Sequence, residues 1–322
     1  MFWYIFIIIV SSIIIISAVF IGKMRKQAGE LVLVETAFKN DGDRAAAGSR
    51  FCFISDVHIS MMPVKWGDIL SAVKGSGGEF LLITGDLVNK ASEIESAKQF
   101  VMTMTYGAQI PVVITLGNHD NEVAAKLPGG KKEFIEQFTS LPGDVRVLDD
   151  ECTVIGNTLI GGLNDARWRE RPAGPLMEEW GAKAASEGLD FYIVTHNADL
   201  LLSVEGYGGK EAGGNEDGGD RGVDSGVDSE KLPEPKPGES KPDGPKPNGI
   251  LCGHTHGGQI KMFRGLEFSI LKKDLLPRRG IYYGRHTVNG FEVYITSGIG
   301  CSLGPWRSGT NPEVVVVISE PV

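Results

Sequence analysis

The sequence predicts a layered α/β domain behind an N-terminal transmembrane helix. Two observations carry this reading. Short apolar runs recur along the chain, each ending in aspartate, asparagine or histidine, with helical patterns between several of them. Ahead of them, Phe2 to Gly22 is apolar or small throughout and carries no charge. At 322 residues and 42% apolar, the chain is long enough to bury a sizeable core.

As a helix, Phe2 to Gly22 is about 30 Å long, which matches a bilayer core. Trp3 and Tyr4 suit one membrane interface. A cleaved signal peptide would need a basic segment ahead of a shorter apolar core and a small-x-small site. Nothing basic precedes this run, so residues 2–22 read as an uncleaved anchor. Lys23, Arg25 and Lys26 follow at once. By the positive-inside rule they make this a single-pass cell-membrane protein with a cytoplasmic body.

That body, residues 31–322, reads as one domain. Leu31 to Thr36 alternates as a first strand, and Asn40 to Gly48 is a polar turn. Phe51 to Ser55 then leads to Asp56 and His58, and Phe80 to Thr84 leads to Gly85-Asp86. Val112 to Leu116 leads to Gly117-Asn118-His119-Asp120, Phe191 to Thr195 to His196, and Ile250 to Cys252 to Gly253-His254-Thr255-His256. Strands buried on both faces read as such continuous apolar runs. Ser92 to Met104 and Lys131 to Phe138 carry helical patterns between them, and Phe291 to Thr296 and Val314 to Ile318 are strands near the end. From Gly206 to Gly249 the chain is almost devoid of apolar residues, which predicts a disordered insertion of Gly, Pro and charged residues within the domain. Ile270 to Arg279 mixes apolar and basic residues. It suits either a partly buried loop or a contact with anionic headgroups.

A net charge of −9 argues against a broad basic face for nucleic acid. An acidic protein still handles phosphate esters where metal ions supply local positive charge. The four cysteines, Cys52, Cys152, Cys252 and Cys301, form no CxxC pair and read as reduced thiols.

Five of the six histidines stand at strand ends, beside Asp56, Asp86, Asn118 and Asp120. Carboxylate, imidazole and amide ligands together suit Mn²⁺, Fe²⁺ or Zn²⁺. They are too many for one four-coordinate ion and about enough for two. His254 and His256, at i and i+2, would point to one side of an extended backbone. Singly, Asp56 and Asp86 also fit helix N-caps and Asn118 a turn, but those readings leave the histidines unexplained.

In order, Asp56-x-His58, Gly85-Asp86, Gly117-Asn118-His119-Asp120, His196 and Gly253-His254-x-His256 resemble the calcineurin-like metallophosphoesterases, from about Phe51 to the C-terminus around the insertion. The apolar helix and the Gly-His-Thr-His-Gly-Gly-Gln form of the last motif resemble the bacterial membrane-anchored branch. The resemblance implies a β-sandwich flanked by helices. It implies one metal on Asp56, His58 and His256, a second on Asn118, His196 and His254, and Asp86 bridging both. A hydroxide between the two ions would attack phosphorus. His119 would act as general acid, with Asp120 fixing its tautomer. Asn89 departs from the branch, which often carries an acidic residue there, at a position that is not a ligand.

For the substrate, Arg167, Arg169 and Arg171 suit either a bidentate grip on phosphate or a solvated face. The apolar loop Ser60 to Trp66 either lines the site or packs under the following helix. With the anchor, this suggests a lipid-linked phosphoester or pyrophosphate, for which UDP-2,3-diacylglucosamine is the concrete candidate. A generic phosphodiesterase or nuclease is the enzymatic alternative, and an inactive interaction module the non-enzymatic one.

Overall fold

The computed structural model describes residues 2–40, 48–165, 167–169, 171–204, 245–260, 274–302 and 304–321. Most of the expected insertion, and residues 270–273 of the basic-apolar segment, lie outside them. Twelve strands among the described residues form two six-stranded sheets. The first has the order β1 (Val32–Asn40), β12 (Glu313–Pro321), β2 (Arg50–Ser55), β3 (Leu81–Thr84), β4 (Val112–Thr115), β5 (Val145–Leu148). The second runs β10 (Gly284–Val288), β11 (Phe291–Ile295), β9 (Gly249–Cys252), β8 (Asp190–Thr195), β7 (Thr158–Leu163), β6 (Glu151–Ile155).

Alternation along each strand builds the sandwich. Phe51 and Phe53 of β2, Leu82 of β3 and Val113 of β4 face Tyr192, Val194 and Leu251 of the second sheet. Phe51 stacks on Phe80 at 4.5 Å and meets the Tyr192 ring edge-on at 5.1 Å. Such pairs add about 0.5–1.5 kcal/mol each beyond the area they bury. The alternate residues Cys52, Ile54, Leu81 and Ile83 pack outward against α2 (Trp66–Ser76), α3 (Ile94–Ala108) and α5 (Gly130–Thr139). Phe191 and Ile193 do the same under α6 (Ala173–Glu187). Both faces of the central strands are therefore covered, which is why they read as unbroken apolar runs. All four cysteines are free thiols, three of them buried.

Parallel pairing aligns the strand ends. Ser55, Thr84 and Thr115 are in register at the carboxyl ends of β2, β3 and β4. In the second sheet β8 and β9 also run parallel. The loops leaving all five strands meet at one end of the sandwich, where α/β sheets place their ligands.

The apolar helix α1 spans Phe2–Ala28 and is long and apolar enough to cross a membrane, with none of its most apolar window buried. Its last turn belongs to the body. Met24 and Ala28 are buried, Gln27 Nε2 donates to Asn311 Oδ1 at 2.9 Å, and Arg307 N donates to the Met24 carbonyl. At the near edge of the expected insertion, Pro247 to Gly249 are buried, and Asn248 bonds Phe191 and Asp190. The short helix Leu275–Arg278 stands where the sequence suits a partly buried loop, with Leu276 and Pro277 buried.

Candidate metal centre

The strand ends deliver two groups of donors. Asp56, His58 and His256 present ligand atoms within 4.8 Å of one another, and so do Asp86, His196 and His254. Asp86 stands between the groups, its Oδ2 at 3.2 Å from His196 Nε2 and 3.6 Å from His58 Nε2. Its Oδ1 accepts from His119 N at 2.9 Å.

The backbone at these positions is strained to aim the side chains. Asp56, His58, Asp86, His254 and His256 all have positive φ, between 38° and 72°. Such conformations cost of order 1–3 kcal/mol each in non-glycine residues and gather where function requires them. This corrects the extended-strand picture of the two C-terminal histidines. The strand stops at Cys252, and the left-handed turn sends His254 and His256 to different groups. Gly85, at φ +70°, has the matching constraint: a Cβ there would stand 2.5 Å from Gly117 N and 2.8 Å from His196 Nδ1.

Hydrogen bonds fix which nitrogen faces inward. His58 Nδ1 lies 2.8 Å from Asn89 Oδ1, His196 Nδ1 lies 2.9 Å from the Thr84 carbonyl, and His254 Nε2 lies 3.1 Å from Asp274 Oδ2. An oxygen acceptor holds the ring proton outward and leaves a lone pair on the other nitrogen. Two of those inner nitrogens, His254 Nδ1 and His196 Nε2, face each other at 3.3 Å. Two ring nitrogens at that distance need a proton or a metal ion between them. Two nitrogens on one tetrahedral zinc ion stand about 3.3 Å apart, given metal–nitrogen bonds of about 2.0–2.1 Å. His58 Nε2 and Asn118 Oδ1 are buried with no hydrogen-bond partner, as donors waiting for a cation are. The residues fit a pair of divalent ions.

The electrostatics agree. Burial opposes charge on both Asp86 and His196, yet the imidazoles hold the Asp86 carboxyl well below its ordinary range. Asp86 and Asp56 in turn lift His196 to about 10. The site draws positive charge to itself. His58, where burial dominates, is shifted down.

The model of the calcineurin-like phosphoesterases matches residues 49–258. The chain belongs to that family. Among solved structures, this phosphoesterase is similar to a purple acid phosphatase from yellow lupin (Lupinus luteus) seeds, with 12% identity and a TM-score of 0.45 over 82% of this chain and 46% of that one. The chain thus spans less than half of the lupin protein's length. A protein serine/threonine phosphatase from Saccharomyces cerevisiae gives 15% identity and a TM-score of 0.22, over 55% of this chain and 69% of that one. No curated protein matches.

The phosphoesterase site opens into a cavity of about 640 Å³ lined by His58, Asp86, Asn118, His119, His254 and His256, with Asp165, Arg167, Asp199, Asp274 and Ser302 on its walls. Among the described residues that line it, Leu200 is the one large apolar side chain. The loop after His58 does not contribute. Val64 is buried and Trp66 packs edge-on against Phe100 at 5.6 Å, so this loop seals the helical layer instead.

Two further expectations change. Asp120 does not meet the His119 ring: Oδ1 accepts from Leu87 N and Val88 N, and Oδ2 from Gly117 N. As the third residue of α4 (Asn118–Ala124), it reaches back to cap that helix and ties it to the loop after β3. Of the three arginines only Arg167 lines the cavity. Arg169 is half-buried with its charge near Asp150, and Arg171 pairs with Glu179 at 3.0 Å. Asn89, not itself a ligand position, is the outer partner of His58.

Proposed function

We propose that this protein is a membrane-anchored, two-metal phosphoester hydrolase. The observation that carries the reading is the set of imidazole nitrogens turned inward around Asp86, with the facing pair at 3.3 Å. In this reading Asp56, His58 and His256 hold one divalent ion, and Asn118, His196 and His254 hold the other, with Asp86 shared. When bound, the two ions supply Lewis acidity toward a phosphoryl oxygen and acidify a water.

The chain's own residues do the rest. His119 stands on the cavity wall with its ring 5.3 Å from that of His58, at the side open to substrate. It donates its ring proton to the leaving oxygen as the water oxygen forms the new bond to phosphorus. Arg167, 70% exposed at its side chain and 3.6 Å from Asp165 Oδ1, is the cation among the described wall residues and would turn to a substrate phosphate. The polar wall suits a headgroup rather than an acyl chain. Support for a lipid-linked substrate comes from α1, whose last turn is built into the body and would hold it against a membrane that the helix spans.

The full chain in detergent, loaded with Mn²⁺, is tested against bis-p-nitrophenyl phosphate, UDP-2,3-diacylglucosamine and single-stranded DNA. Hydrolysis of the lipid nucleotide well above the other two supports the lipid-linked reading. Equal or better turnover of bis-p-nitrophenyl phosphate makes it a generic diesterase, and no turnover of any of them contradicts a hydrolase of this class.

A further inference from the structure

We propose that Asp274 is a positioning residue for the second metal site, acting through His254 and clamped by Asn197. The inference rests on the two-metal reading above. His254 turns Nδ1 toward His196 and places Nε2 at 3.1 Å from Asp274 Oδ2. The other carboxylate oxygen, Oδ1, accepts from Asn197 Nδ2 at 3.2 Å. Asn197 directly follows His196 in the chain, so the bonds close a ring from one ligand of the second site to the other.

The backbone under Asp274 is fixed as well. It precedes the helix Leu275–Arg278, whose first two amides, Leu275 N and Leu276 N, donate to the Asp199 carboxylate at 2.5 Å and 2.8 Å. Asp199 N donates to Asn197 Oδ1 at 2.9 Å, so the 197–199 turn sets both the carboxylate and the helix that carries it. His254 and Asp274 are 13% and 15% exposed at their side chains, dry enough for the bond to hold a ring in place.

Charge explains why this partner is a carboxylate. The first site has Asp56 of its own and shares Asp86. The second shares Asp86 and otherwise offers two imidazoles and the Asn118 amide, with no carboxylate of its own. The outer acceptors of His58 and His196 are neutral oxygens of Asn89 and Thr84. Asp274 adds negative charge one ring away from the second ion and fixes which His254 nitrogen faces it.

The test uses the full chain in detergent and Mn²⁺ alone as probe. Asp274→Asn keeps shape and removes the charge, and Asp274→Ala removes the acceptor. Manganese titration followed by electron paramagnetic resonance reads both sites. The wild type takes two ions and shows an exchange-coupled pair. Each variant keeps one ion of wild-type affinity, loses about 10- to 100-fold at the other, and shows an isolated-ion signal at manganese levels that couple the wild type. The thermal midpoint of metal-free Asp274→Asn stays at the wild-type value. Two ions of wild-type affinity and a coupled signal in Asp274→Asn overturn the inference while leaving the two-metal reading intact. Weakening of both ions to the same extent overturns it too. A wild-type protein that takes fewer than two ions overturns both.

Discussion

His58 Nδ1 lies 2.8 Å from Asn89 Oδ1, which leaves the buried Nε2 of the same ring facing Asp86 Oδ2 at 3.6 Å. A side chain four residues past Gly85 thus decides which nitrogen His58 offers. Asn89→Leu removes the acceptor, and the first metal is expected to bind about 10-fold more weakly or worse. Asn89→Asp keeps the acceptor and adds charge, so it is expected to bind at least as tightly as the wild type. Zinc competition titrations check the order, and equal affinity in all three proteins contradicts it.

Arg307 is fully buried, and its Nη2 donates to the carbonyls of Ser297, Gly298 and Gly300. That loop in turn bonds the backbone of Ser55 and Asp56 through Ile299 N and Gly300 N. Arg307→Leu leaves three buried carbonyls without this donor and removes the positive charge near the buried Glu313. The expected loss is about 3–5 kcal/mol of stability, read by urea unfolding of the full chain in detergent. A change below about 1 kcal/mol, the net worth of one ordinary hydrogen bond, contradicts the role.

Glu313 supplies a pH prediction away from the metal centre. Burial outweighs its bonds to Thr296, Ser297 and Tyr283 and lifts its carboxyl above the ordinary value of 4.5. The folded state then holds the proton more tightly than the unfolded state. Its contribution to stability is full below the unfolded value, falls as pH rises from about 4.5 through the raised value, and levels off above it. Glu313→Gln removes that slope. Unfolding midpoints of the metal-free proteins across pH check it, and parallel curves for the two proteins contradict it.

The last turn of α1 is part of the folded body through Met24, Gln27 and Ala28. The helix is therefore expected to stay on the mature protein. Intact-mass measurement of protein extracted from membranes checks this, with the mass of the uncleaved chain as the expected result and loss of the apolar segment as the contrary one.

Much of this was legible because the candidate ligands sit where apolar runs stop. Asp56, Asp86, Asn118, His196, His254 and His256 all follow strands whose burial on both faces leaves a plain hydropathy signal. What holds the ligands was not legible. Asn89 and Asp274 are ordinary polar residues whose meaning depends on a ring delivered from elsewhere in the chain. Asp274 also lies within the apolar and basic run Ile270 to Arg279, which suits a partly buried loop or a headgroup contact and points to no ligand. The family resemblance implied Asp120 as the partner of His119, but the helix start turns its carboxylate toward backbone amides. Arg307 gave no local signal, since its partners are carbonyls of a loop. Pairing of β12 between β1 and β2 joins the two ends of the chain, which periodicity alone cannot reveal.

Asp86 is where the two donor groups meet, so its removal tests the account most directly. Metal content and bis-p-nitrophenyl phosphate turnover of Asp86→Ala are compared with the wild type at equal free Mn²⁺. The account predicts two ions and turnover in the wild type, against at most one ion and a loss of about 100-fold or more in the variant. Two ions with wild-type turnover in Asp86→Ala would contradict it.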